Sequence, residues 1–232
     1  MARGSDLSIP CIAIDGPAGV GKGTVSQRLA GLTGWNYLNS GALYRVLAIQ
    51  ALREGVALED GTALARLVDQ LRVRFAITEN GGTVELAGEE ISAELVTEAT
   101  GAAASQIAPL PEVRAALLDR QRQFLQLPGL VAEGRDMGSV VFPDAAVKIF
   151  LEASAEERAQ RRYKQLKDNG MNGSLRAVLA EIRARDSRDR ERSVSPLIPA
   201  EDAVIIDTTA LSVDQVMVQI LELGGERQLF ST

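Results

Sequence analysis

One stretch constrains this chain more than any other. Ile12-Ala-Ile-Asp-Gly16-Pro-Ala-Gly19-Val-Gly21-Lys22-Gly23-Thr24 reads as an apolar strand, a glycine-rich turn and the start of a helix whose apolar face is Val25, Leu29 and Leu32. In such a turn successive backbone N–H groups converge on an anion, the helix presents its positive end, and a lysine adds a mobile charge. The spacing from Gly16 to Gly21-Lys22 is that of G-x-x-x-x-G-K. Gly16, Pro17, Ala18, Gly19, Val20, Gly21, Lys22, Gly23 and Thr24 are therefore the candidate phosphate-binding residues. Gly23 stands where the common motif has Ser or Thr, and the hydroxyl arrives one residue later, at Thr24.

Composition removes several other chemistries. The 232 residues contain no histidine and a single cysteine, Cys11. This excludes Ser-His-Asp and Cys-His catalysis, the usual zinc sites and any intramolecular disulfide. Cys11, among Ile9, Pro10 and Ile12, reads as a buried thiol. Of 25 basic residues 21 are Arg, in a chain of net charge −6. The acidic balance argues against broad nucleic-acid binding, whereas the guanidinium fork suits phosphate contacts in an internal basic pocket. No apolar run reaches membrane-span length and the first residues carry no apolar leader, so a cytoplasmic protein is expected.

Read in order, five apolar segments near residues 11, 36, 131, 149 and 205 alternate with helical ones. That pattern predicts an α/β fold, a doubly wound five-stranded parallel sheet. A first helix is expected over Thr24–Leu32 and a second from Ala42, with Arg45 in its first turn, where a cation opposes the helix dipole. Residues 63–108 differ. Leu71–Ile77 and Val84–Leu86 alternate with period two about Asn80-Gly81-Gly82, predicting a small antiparallel insert, followed by a weak helical stretch from Glu90 to Ala108. A helix after Pro111 leads to the strand Leu130–Ala132, which opens into Glu133-Gly134-Arg135-Asp136-Met137-Gly138. Arginines then crowd between residues 155 and 193. A helix opens at Glu156, Asp168-Asn-Gly170 breaks it, and a second runs from Leu175 to about Arg192. On helical spacing Arg185, Arg188, Asp189 and Arg192 share one face of it, and Asp186 and Arg190 pair on another.

At this point the chain resembles the bacterial-type cytidylate kinases, a group of P-loop nucleoside monophosphate kinases, over nearly its whole length. The resemblance is carried by Gly16 to Thr24, Ser40-Gly-Ala-Leu-Tyr44-Arg45, Ala104-Ser105-Gln106, Val113-Arg114, Gly134-Arg135-Asp136-Met137-Gly138, Val147 to Leu151, Glu156 to Ala159 and Arg185 to Arg190. It implies Mg²⁺-dependent transfer of a phosphoryl group from ATP to CMP and dCMP. Lys22, Arg135, Arg158 and Arg162 would be the catalytic cations, the last two on a short helical lid. Arg45 and Arg135 would hold the acceptor phosphate, Ser40, Ser105, Arg114, Asp136 and Arg192 would face cytosine, and Arg185 and Asp189 would reach the ribose. Mg²⁺ would be held mainly by ATP phosphates and water, with Thr24 the candidate protein ligand. The implied organisation is a core of residues 1–62, 109–153 and 176–232, a monophosphate-binding insert of 63–108 and a lid of 154–175. The implied protein is a monomer with small nucleotides, not nucleic acid or membrane, as partners. One departure is visible: Asn39 stands where many members have Asp.

The residue chemistry runs the same way. Cytosine offers an amino donor beside two acceptors, matching a carboxylate with an arginine or serine, and Asp136 and Arg114 fit. A phosphate acceptor with its second pKa near about 6 needs no general base, so the missing histidine is consistent. UMP, differing at one ring substituent, is the nearest rival acceptor. A P-loop switch is the rival from another class; against it, no Asn-Lys-x-Asp and no Asp-x-x-Gly after a strand are present.

Overall fold

The computed structural model describes residues 9–78, 81–168, 174–191 and 195–230. The elements in chain order begin with β1 (Cys11–Asp15), α1 (Lys22–Thr33), β2 (Asn36–Asn39), α2 (Ser40–Glu54) and α3 (Gly61–Gln70). The small sheet follows, β3 (Val73–Thr78), β4 (Gly81–Leu86) and β5 (Glu89–Glu90), then α4 (Ser92–Leu95), α5 (Glu98–Ile107) and α6 (Pro111–Arg122). The chain continues through β6 (Leu130–Glu133), a π-helical turn at Met137–Val141, β7 (Val147–Glu152), α7 (Ala155–Asp168), α8 (Leu175–Arg190), β8 (Val204–Asp207) and α9 (Val213–Glu226).

The main sheet has the order β2-β6-β1-β7-β8 with every pairing parallel. All five residues of β1 are buried, so both of its faces are covered, which is why its first four residues, Cys11 to Ile14, are continuously apolar rather than alternating. Ile12, Ile14 and Val131 face a core closed by Val25, Leu29 and Ala30 of α1 and Val216, Met217 and Ile220 of α9. Cys11, Ala13, Leu130 and Ala132 face the other, closed by α2, α3 and α6 through residues such as Leu43, Leu47, Leu64 and Leu117. Burial pushes the Cys11 thiol up to about 12, as befits a packing residue.

The insert departs from expectation in two places. Gly81 and Gly82, read as turn residues, lie in β4 opposite Thr78 and Ile77, while Asn80 lies outside the described residues. Gly82 meets a residue distant in sequence: a Cβ there would stand 2.6 Å from the side-chain amide of Gln27 on α1, whose oxygen accepts the Gly82 N–H at 3.1 Å. The weak helix over 90–108 is two helices, because Thr97 turns its hydroxyl oxygen to the Thr100 N–H and caps α5 anew.

Candidate active site

The two loops that carry Gly16 to Gly21 and Arg135-Asp136 leave the carboxyl ends of the parallel strands β1 and β6, the usual place for a ligand in a doubly wound sheet. At the end of β1, Gly16 adopts φ +144°, and a Cβ on it would come within 2.1 Å of the Leu151 carbonyl oxygen on β7. Only glycine allows the chain to turn there. Lys22, buried in the first turn of α1, donates to the carbonyls of Gly16 at 2.9 Å and Pro17 at 2.8 Å. Desolvation holds its pKa well below the ordinary range, with Arg135 and Arg185 pushing the same way and Glu133 and Asp15 opposing.

The loop after β6 reaches the same point. Arg135 donates from Nη1 to the Gly16 carbonyl at 2.9 Å and from Nε to Asp189 on α8 at 2.9 Å. Its neighbour Asp136 accepts from Arg114 of α6 at 2.8 Å, and the same Arg114 nitrogen contacts the Ser195 hydroxyl at 2.7 Å. Two ion pairs, Arg114–Asp136 and Arg135–Asp189, thus stand side by side in the cleft beyond β1 and β6. Because α2 starts at Ser40 and not at Ala42, Arg45 lies in its second turn rather than its first, where it donates to the Leu95 carbonyl at 2.5 Å. Desolvation and the charge of Arg162 on α7 lower its pKa, so Arg45 and Arg162 share one region of positive potential.

A profile described as cytidylate kinase matches residues 12–225, from β1 into α9. The chain belongs to the cytidylate kinase family. The cytidylate kinase of Aeromonas hydrophila is 55% identical over 220 residues, covering 95% of both chains. That of Stutzerimonas stutzeri is 53% identical over 223 residues, covering 95% of this chain and 97% of the relative. Among solved structures, an uncharacterized protein from Eubacterium ventriosum is 12% identical with a TM-score of 0.50, covering 94% of this chain and 98% of that one, which is a likeness of fold alone.

In this cytidylate kinase family chain the named residues fall into groups. Lys22, Arg135, Asp136, Arg114 and Asp189 are gathered by the bonds above, and Arg185 of α8 lies within electrostatic reach of Lys22. Ser40 is buried at the start of α2, and Thr24 is exposed at the start of α1. Ser105 is exposed on α5, its hydroxyl donating to the Gly101 carbonyl at 2.9 Å. Arg192 lies outside the described residues. Arg158 is 3% exposed and clamps Asp186 with two bonds of 2.6 and 3.0 Å, while also donating to the Ala18 and Ala153 carbonyls. Asp186 therefore pairs with Arg158 and not, as helical spacing suggested, with Arg190: a guanidinium from α7 outcompetes a neighbour on the same helix that stays exposed.

Four residues beside the loop were not singled out as site residues from the sequence. Glu133, ending β6, is buried against the loop, 3.4 Å from where a Gly23 Cβ would stand. Burial raises its pKa, Lys22 opposes, and the Tyr37 hydroxyl donates to it. Asn39 completes the row: its oxygen accepts the Ala42 N–H at 2.8 Å, capping α2, and its amide donates to Tyr37 at 3.4 Å. An ionised Asp at position 39 could cap but not donate, which gives the amide a local reason. Asp15 is the fourth, and both of its oxygens are engaged by the loop after β6. A cavity of about 450 Å³ opens beside Pro17 between the ends of β7 and β8, lined also by Ser154, Arg158 and Thr209. A larger groove of about 950 Å³, beside Trp35, Phe75 and Phe124, contains none of the predicted site residues.

Proposed function

We propose that this chain transfers the γ-phosphoryl group of ATP to CMP, and to dCMP, giving the diphosphate. The observation that carries the reading is the meeting of Lys22 and Arg135 at the Gly16 carbonyl. One cation comes from the donor loop, the other from the loop that also bears Asp136, so positive charge is concentrated between donor and acceptor sides. Phosphoryl transfer needs alignment and charge neutralisation more than proton transfer, and these residues supply both. The backbone N–H groups between Gly16 and Thr24, Pro17 having none, bind the donor phosphates, with the cavity beside Pro17 accommodating the rest of ATP. Arg45 and Arg135 hold the acceptor phosphate, and Ser40, Ser105, Arg114, Asp136 and Arg192 read cytosine, with Arg185 and Asp189 at the ribose. Arg158 anchors α7 to the donor loop, and Arg162, exposed on the same helix, carries charge toward the transferring group.

The residues also fit Mg²⁺. Among the oxygens beside the loop, the Thr24 hydroxyl and the Glu133 carboxylate are the ones that would face the ion. Among the described residues no group of three or more His, Cys, Asp or Glu is placed to hold a metal. Such a sparse set suits a hard ion that keeps most of its waters and takes phosphate oxygens for the rest. When bound with ATP, Mg²⁺ neutralises charge between the β and γ phosphates. We further assign the core to residues 1–62, 109–153 and 176–232, the insert to 63–108 and the lid to 154–175, in a cytoplasmic monomer. Among the described residues no helix is long and apolar enough to cross a membrane.

Phosphorus NMR of a mixture of Mg-ATP and CMP tests the reaction. CDP and ADP appearing in equal amounts is the expected result; ADP and inorganic phosphate without CDP would refute it.

A further inference from the structure

Three consecutive residues of the donor side hold the acceptor-side loop. The Ile14 carbonyl accepts the Gly134 N–H at 3.0 Å. The Gly16 carbonyl accepts Arg135 Nη1 at 2.9 Å. Between them Asp15 places one carboxylate oxygen 2.9 Å from the Met137 N–H and the other 2.8 Å from the Gly138 N–H. Those two amides open the π-helical turn and directly follow Arg135 and Asp136. From the other side, Lys148 of β7 packs against Gly138, 3.2 Å from where a Cβ would stand. The loop is thus pinned at four points over five residues, and among the described residues Asp15 is the one side chain of β1 that anchors it.

We propose that Asp15 is a positioning residue of the transfer reaction: its carboxylate fixes the loop that bears Arg135 and Asp136 in register with the loop that bears Lys22. The inference rests on the assignment of those loops to acceptor and donor. Asp15 touches neither nucleotide in this scheme. It acts through two backbone amides, and a carboxylate is the side chain that can accept from both at once without offering a donor of its own. Lys22 of α1 and Asp136 are the charged groups whose fields reach it, one favouring and one opposing its ionised form. An Asn in its place presents one acceptor and one NH₂, and the NH₂ confronts an N–H. The loop then shifts at one of its two anchoring amides, so the acceptor site is displaced while the donor loop keeps its glycine-determined turn.

The test uses the full chain and the Asp15→Asn variant. Wild-type enzyme is assayed first with CMP and Mg-ATP. Failure there removes the functional reading and not the clamp alone. With wild-type activity in hand, Asp15→Asn is expected to raise the KM for CMP and lower kcat, together costing about 10- to 100-fold in kcat/KM. The affinity for a non-hydrolysable ATP analogue, titrated without CMP, should stay within about twofold of wild type. Unchanged CMP kinetics would overturn the proposal, as would equal losses for CMP and ATP. If the variant does not fold, the wild-type amides of Met137 and Gly138 decide. Both should be protected from hydrogen exchange and shift together with one apparent pKa as pH falls; fast exchange or independent shifts would overturn the clamp.

Discussion

Asp15 is 5% exposed, and burial raises its pKa from 3.8 to about 6 despite the two amides it accepts from. The folded state therefore binds its proton more tightly than the unfolded state. Its contribution to stability is full below about pH 4 and lost as pH rises to about 6, leaving a cost of about 3 kcal/mol at neutral pH. Denaturant titrations of wild type and Asp15→Asn should show the difference between them moving in favour of wild type by about 3 kcal/mol between pH 7 and 4. A difference independent of pH would mean that this carboxyl titrates normally. At Asp136 the expectation is kinetic. Asp136→Ala should raise the KM for CMP by an amount worth about 1 to 3 kcal/mol while moving the KM for ATP little. An unchanged CMP response would make the Arg114–Asp136 pair purely structural.

The arginine-rich helices show how one composition serves two ends. On α8, Asp189 faces the cleft and meets Arg135, whereas Asp186 is held by Arg158 behind it. Around that buried pair Ala159, Val178 and Ile182 form a small core between α7 and α8. Removing one partner strands the other, so Asp186→Ala should destabilise the protein by about 3 to 5 kcal/mol, read as a lower denaturation midpoint. Arg183→Ala, which breaks an exposed pair with Glu156, should change that midpoint little. Equal small effects would mean that the apolar contacts alone hold these helices together. The α-helical pattern was legible because acids open α7 and bases close it, yet partner choice was not. Spacing along α8 ranks only neighbours on the same helix, and Arg158 arrives from 28 residues earlier.

At the scale of the molecule, the parallel sheet was legible because its central strands are continuously apolar up to their last residue, as Cys11 to Ile14 of β1 and Leu130 to Ala132 of β6 show. The donor loop was legible because glycines at Gly16, Gly19 and Gly21 are demanded by backbone geometry, with φ between +77° and +144°. What stayed hidden was long-range. Gly82 of β4 bonds Gln27, 55 residues away, and the carboxylate of Asp15 has its partners in the loop after β6, more than a hundred residues on. Tyr37, Asn39 and Glu133 likewise form a row only because β2 and β6 are neighbours, with Asn39 opposite Glu133. The central claim is that this cleft couples a triphosphate donor to a cytosine-bearing monophosphate acceptor. Steady-state phosphorylation of CMP, dCMP, UMP, AMP and GMP at fixed Mg-ATP tests it most directly. The account predicts the highest kcat/KM for CMP and dCMP, with UMP behind and the purines lowest. A preference for AMP or GMP, or ATP turnover that no monophosphate stimulates, would contradict it.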